Sequence, residues 1–200
     1  MTKIKLCGLS RVEDIQVANE IFPEFIGFVF AKKSRRYVTQ EKAAELKKFL
    51  RKEISAVGVF VNEKIEVISE LANKNIIDVI QLHGSEDEKY IDSLRNFTDK
   101  KIIQAFKIQT ADDLKIAEKS SADFILLDGG AGDGKIFNWQ ILKNFSRKYF
   151  LAGGLNLENV SDAIKFLKPF AVDVSSGIET DGLKDKNKMR EFVKIVRGEF

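Results

Sequence analysis

Eight short apolar runs recur along the chain, at residues 3–7, 25–30, 56–61, 76–82, 102–106, 123–127, 149–152 and 170–174, with starts 20 to 31 residues apart. Each is nearly continuous rather than alternating, the pattern of a strand covered on both faces in a parallel sheet. Between them lie segments of helical period: Val12, Ile15, Ala18 and Ile21; Ile65, Ile68, Leu71 and Ala72; Met189, Phe192, Val193 and Val196. The order is a β–α unit repeated eight times, the mark of an α/β chain. Such units build an open doubly wound sheet or a closed barrel, and near-equal units favour closure, which leaves no edge strand. A single (β/α)8 TIM barrel is therefore predicted. One domain over residues 1–200 is expected, because no Pro/Ser-rich linker, low-complexity tract or charge block divides the chain. Ser10, Thr39 and Asn156 are expected N-caps, with acids following in the first turn.

Charge and cysteine content narrow the function classes. The 33 Lys and Arg residues are interspersed with 30 Asp and Glu, so no nucleic-acid footprint is indicated, although a small anion can still meet a locally positive site. With one cysteine and one histidine, an internal disulfide is excluded and a Cys/His zinc site has too few ligands. That usage suits a reducing compartment. No apolar run has the length of a signal peptide core or a membrane span, and a cytoplasmic location is expected.

In a barrel of this kind the C-terminal ends of the strands and the loops after them build the site. The seventh and eighth such loops carry Gly153-Gly154 and Ser175-Ser176-Gly177. Either could be a tight turn or a cap, but small residues in both adjacent loops favour phosphate held on backbone N–H groups, aided by a helix N-terminus near Asn156. Gly129, Gly134 and Lys135 have P-loop spacing, yet Ile136 stands where a magnesium-binding hydroxyl is needed and Asp128 precedes the loop. The segment reads as a lid, not a nucleotide site, and the spacing of a dinucleotide fingerprint is absent.

Cys7 and Asp128 end the first and sixth strands and can face each other across a closed mouth as base and acid. The plainer alternatives are a buried small hydrophobe and a loop cap. Arg36 can pair with a carboxylate through its forked guanidinium, while Lys32, Lys33 and Arg35 read as a solvated turn. His83 either lines the mouth or caps the following helix, and Gln81, in an apolar strand, points inward in a structural or a ligand-facing role. Lys107 invites a Schiff-base reading, but a solvated loop with Thr110 capping the next helix is preferred.

Taken together, these residues resemble the phosphoribosylanthranilate isomerase family along essentially the whole chain. The resemblance rests on Lys5-Leu6-Cys7-Gly8, Gly27-Phe28-Val29-Phe30 with Ser34-Arg35-Arg36, Val57-Gly58-Val59-Phe60-Val61-Asn62, Gln81-Leu82-His83-Gly84 and Leu126-Leu127-Asp128. It continues through Gly134-Lys135-Ile136-Phe137-Asn138-Trp139, Ala152-Gly153-Gly154-Leu155-Asn156 and Val172-Asp173-Val174-Ser175-Ser176-Gly177-Ile178-Glu179. In this order and spacing the motifs are far more specific than the barrel pattern, which many activities share. Departures from the family pattern are Arg35 in place of a proline, Ile136 and Asn138 in the sixth loop, and Leu157 in place of a proline.

The resemblance implies Cys7 as general base and Asp128 as general acid, with Arg36 on the anthranilate carboxylate and phosphate around Gly154, Ser176 and Gly177. It implies an Amadori rearrangement in tryptophan biosynthesis in which the imine nitrogen is the electron sink, so that no metal or cofactor is expected. The expected partner is a small phosphosugar, with no nucleic acid or membrane, and the chain is expected to be a monomer or homodimer. Two rivals stand beside this reading. A histidine-pathway aminoaldose isomerase is expected to carry carboxylates in both catalytic positions, and a phosphate-binding barrel without catalysis is expected to bind ligand without turnover.

Overall fold

Eight parallel strands close into one barrel: β1 (Lys3–Cys7), β2 (Phe25–Val29), β3 (Ser55–Phe60), β4 (Val79–Leu82), β5 (Lys101–Lys107), β6 (Phe124–Asp128), β7 (Tyr149–Ala152) and β8 (Ala171–Val174), with β8 returning to pair with β1. The computed structural model describes residues 1–130 and 139–198. The helices are α1 (Val12–Ile21), α2 (Gln40–Phe49), α3 (Ile65–Asn73), α4 (Glu88–Arg95), α5 (Ala111–Glu118), α6 (Val160–Leu167) and α7 (Lys186–Arg197). Among the described residues no helix is long and apolar enough to cross a membrane.

Strand parity sorts the side chains. Successive residues of a strand point to opposite faces. Ile4, Leu6, Ile26, Phe28, Ile80, Leu82, Ile125 and Leu127 pack outward into the layer shared with the helices. Their neighbours Val57, Val79, Ile103, Leu126, Phe150 and Ala171 fill the barrel interior. Phe150 lies near the N-terminal ends of the strands, edge-on to Phe25, Phe124 and Phe170 at 5.3, 5.9 and 5.6 Å between centroids. Such pairs contribute about 0.5–1.5 kcal/mol each beyond burial. This aromatic plug closes one end of the barrel. The same parity carries Lys5, Cys7, Gln81, Asp128 and Asp173 inward, toward the end that stays open.

The eight-fold pattern has two local changes. After β6, the element described in the helix position is a 3-10 turn, Trp139–Asn144. After β8 the chain makes a hairpin, β9 (Glu179–Thr180) and β10 (Leu183–Lys184), before α7 begins. Its turn residues Asp181 and Gly182 both have positive φ, the pairing that Asp-Gly favours in a tight hairpin.

The caps differ in part from expectation. Thr39 and Thr110 cap α2 and α5, their hydroxyls accepting from the Lys42 and Asp113 N–H groups. Ser10 does not cap α1: the N-cap is Arg11, and the Asp14 carboxylate reaches back to accept from the Ser10 and Arg11 N–H groups. The chemistry is the same, a carboxylate satisfying first-turn donors, but it comes from inside the helix. Asn156 caps a turn ahead of α6, accepting from Glu158 and Asn159 N–H, and the helix itself starts at Val160.

Candidate active site

A cavity of about 390 Å³ opens at the C-terminal ends of the strands. It gathers Cys7, Arg36, Gln81, His83, Asp128, Gly153, Gly154, Ser175 and Ser176, nine of the ten residues singled out from the sequence; Gly177 sits just behind, paired with Asn156 by a parallel bridge. Val29, Ala31, Val59 and Val61 give the cavity its apolar lining. The lid expected at 129–135 lies outside the described residues, apart from Gly129 and Gly130 at its start.

Cys7 is buried, and burial pushes its thiol above the ordinary range; Lys5 and Lys184 act against that, and Asp173 with it. Lys5 is fully buried, and its ammonium donates to both Asp173 oxygens at 3.0 Å. The two are register partners across the β1–β8 seam. Burial disfavours the Lys5 charge, but Asp173 and Cys7 more than restore it, so Lys5 remains a fixed cation beside the thiol. A cation held that close to a sulfur favours its thiolate when the sulfur loses its proton.

Asp128 faces the opposite side of the cavity. Burial raises its pKa, but His83, the Gly130 N–H and Lys107 together outweigh that and bring it below the usual range. The Gly130 N–H donates to Oδ1 at 2.8 Å, and His83 Nε2 stands 3.6 Å from Oδ2. Gln81 Nε2 is 2.9 Å from His83 Nδ1. Gly153 makes room for this acid: with φ at +94°, a Cβ there would lie 2.7 Å from Asp128 Oδ1 and 2.5 Å from the Gly129 nitrogen. Lys107 is exposed at the end of β5, in register with Asp128, and acts on it through space.

Arg36 does not meet the cavity freely. Its Nε and Nη2 donate to Glu179 at 2.6 and 2.9 Å, which leaves the Nη1 side of the fork for a ligand. Glu179 also accepts from Lys184 at 2.6 Å and from Arg35 at 2.7 Å. Burial acts against the Glu179 charge, but Arg36 and Lys184 hold its carboxyl down at about 2. Gly8 admits the arginine, since a Cβ at Gly8 would come within 2.4 Å of Arg36 Cδ. Arg35, read as a solvated residue, is thus tied to the same carboxylate.

The phosphate loops divide in role. Gly153 and Gly154 take positive φ, and the Gly154 carbonyl accepts from Asn159 Nδ2 at 3.0 Å, which fixes the loop ahead of α6. Ser176 is exposed at the rim of the cavity. The Ser175 hydroxyl donates to the Cys7 carbonyl at 3.0 Å and receives Lys184 at 3.2 Å, so it ties β8 to β1.

Lys5, Asp173, Glu179 and Lys184 were given no role from sequence. Two signals were present: Lys5 between Ile4 and Leu6 and Asp173 between Val172 and Val174, charged residues inside apolar runs, and the Asp181-Gly182 turn that folds Lys184 back opposite Glu179.

A sequence profile described as N-(5'phosphoribosyl)anthranilate (PRA) isomerase matches residues 4–195. The N-(5'-phosphoribosyl)anthranilate isomerase of Caldanaerobacter subterraneus subsp. tengcongensis is 47% identical, with 99% of each chain covered. The crystal structure of phosphoribosyl anthranilate isomerase from Thermotoga maritima is similar at a TM-score of 0.91 and 35% identity, covering 99% of this chain and 100% of that one. A structure of a phosphoribosyl anthranilate isomerase in complex with reduced 1-(o-carboxyphenylamino)-1-deoxyribulose 5-phosphate is similar at 0.89 and 35% identity, with the same coverage.

Proposed function

The chain belongs to the N-(5'-phosphoribosyl)anthranilate isomerase family, and we propose that it carries out this aldose–ketose isomerisation of tryptophan biosynthesis with Cys7 as general base and Asp128 as general acid. Asp128 delivers a proton to the furanose ring oxygen, the C1′–O4′ bond breaks toward that oxygen, and the amine lone pair forms a protonated imine. Cys7 then removes the C2′ proton, the electron pair flows to the imine nitrogen, and the enolamine tautomerises to the ketone. The observation that carries the assignment is the placement of Cys7 and Asp128 on strands 1 and 6 of one cavity, with Lys5 beside the thiol.

Burial favours the protonated thiol at Cys7, while His83 and the Gly130 N–H favour the charged carboxylate at Asp128. Reaction needs the reverse. Substrate supplies the bias, because its carboxylate and phosphate favour a protonated acid, while the forming iminium favours a thiolate next to it, the thiol's own proton leaving to solvent. The anthranilate ring fits the apolar wall of Val29, Ala31, Val59 and Val61, with its carboxylate on the free side of Arg36. Phosphate fits the loops of Gly153, Gly154, Ser176 and Gly177, where small residues let backbone N–H groups come close. We place the reaction in the cytoplasm, in keeping with a single cysteine that works as a thiol.

The test follows the loss of anthranilate-type fluorescence from phosphoribosylanthranilate in steady state, for wild type, Cys7→Ser and Asp128→Asn. Each variant is expected to lose about 100-fold or more in kcat. A variant within a few-fold of wild type removes that residue from its role. Ligand binding without turnover by folded wild-type protein leaves a binding barrel instead.

A further inference from the structure

The surroundings of Asp128 favour its carboxylate, yet its acid role requires a proton at Oδ. His83 Nε2 stands 3.6 Å from Asp128 Oδ2, and on the far side of the ring Nδ1 meets Gln81 Nε2 at 2.9 Å. Gln81 is 1% exposed, and its Oε1 has no hydrogen-bond partner among the described residues. A buried amide oxygen without a partner costs free energy, so the site is incomplete in this state. The amide has two orientations of one shape. With its NH2 toward the ring, it donates to the lone pair of a neutral imidazole whose proton sits on Nε2, facing Asp128. With Oε1 toward the ring, it accepts from an N–H at Nδ1, which a doubly protonated ring carries. Glutamine serves both states, whereas a carboxylate or an ammonium at this position serves one.

We propose that His83 stores the proton that Asp128 delivers, and that Gln81 is the positioning residue whose amide turns over, bringing Oε1 onto Nδ1–H, when the pair takes up that proton on substrate binding. The inference rests on Asp128 being the acid. The proton enters from solvent as the substrate's carboxylate and phosphate enter the cavity, passes from Nε2 to Asp128 and then to the furanose oxygen. It is replaced by the hydroxyl proton released when the enolamine becomes the ketone, so each turnover closes. The charged and titratable groups around the pair are Lys107, in register with Asp128 on β5, and across the cavity Cys7, Arg36 and Asp173, the last paired with Lys5. Glu86, in the loop after His83, is held by the Asn62 and Gly84 N–H groups.

His83 is the only histidine in the chain, so nitrogen-15 NMR of histidine-labelled whole protein reports one ring. The free protein under mildly alkaline conditions is expected to show a proton on Nε2 and a lone pair on Nδ1. Saturation with reduced 1-(o-carboxyphenylamino)-1-deoxyribulose 5-phosphate is expected to protonate both nitrogens, with uptake of about one proton per site in calorimetry across buffers of different ionisation enthalpy. A ring that stays neutral in that complex, with no proton uptake, overturns the proposal. Gln81→Glu fixes an acceptor behind the ring and is expected to move the alkaline limb of kcat/KM upward by about one pH unit. His83→Asn, at the open side of the cavity, is expected to lower kcat by about 10-fold or more with KM within about threefold. An unchanged pH profile in the first, or wild-type kcat in the second, also overturns it. Asp128→Asn separates the two readings: if that variant turns over, the acid assignment and the store fall together. If it is inactive while His83 stays neutral in the complex, only the store falls.

Discussion

Glu179 grips the side edge of the Arg36 guanidinium, so the substrate carboxylate meets an arginine whose plane is already set. Glu179→Gln removes the charge that sets it. The variant is expected to raise KM for phosphoribosylanthranilate by about 10-fold while kcat changes less, since the lost interaction is made in ground and transition states alike. The same carboxyl bears on acid stability. Its pKa falls from 4.5 to about 2 on folding, so the stability it contributes is whole above its unfolded value and is lost as pH drops from about 4.5 toward 2. Urea melts over that range are expected to show a shallower loss for Glu179→Gln than for wild type. At this scale the sequence was legible where a polar residue type ended a strand or followed it: Cys7 and Asp128 end β1 and β6, and Arg36 lies in the loop after β2. It was opaque where two distant charges meet, because nothing near Lys5 points to Asp173, 168 residues on, and nothing near Arg36 points to Glu179, 143 residues on.

Elements explain that split. Strand boundaries shift by a few residues from the apolar runs, most at β4, which begins at Val79 instead of residue 76, because Asn75 turns with φ at 53° and the chain straightens only later. Alternation within the strands was legible in principle. Every second residue of β1, Lys5 and Cys7, and of β8, Ala171 and Asp173, had to face the barrel axis once their neighbours were outward core. The β9–β10 hairpin stands outside the eight-unit pattern, and its one mark in the sequence is the Asp181-Gly182 turn. At the closed end, Phe150→Ala empties the middle of the aromatic plug. It is expected to destabilise the barrel by about 3–5 kcal/mol and lower Tm by roughly 10 °C. Turnover at room temperature is expected to stay near wild type, because the plug and the cavity lie at opposite ends. Calorimetry and steady-state rates together check this, and a large loss of kcat means that the two ends are coupled.

The barrel as a whole closes through one seam, β1 against β8, held by strand pairing, the Lys5–Asp173 ion pair and the bond from Ser175 to the Cys7 carbonyl. A chain shortened to residues 1–167 lacks β8, the hairpin and α7, and exposes β1 and β7 as bare edges. It is expected to show no cooperative melt by circular dichroism and to bind a hydrophobic dye. A sharp transition means that the seam is dispensable for packing.

The seam also orders the history of the site. During synthesis the strand bearing Cys7 emerges before every other strand of the barrel, and Asp173, Ser175 and Lys184 emerge only with or after the last one. Contacts spanning 168 residues join them. Until that late closure the thiol has neither its cation nor its walls, so the nascent chain carries a cysteine of ordinary reactivity. Its chemistry is conferred by the final stretch of chain to be made.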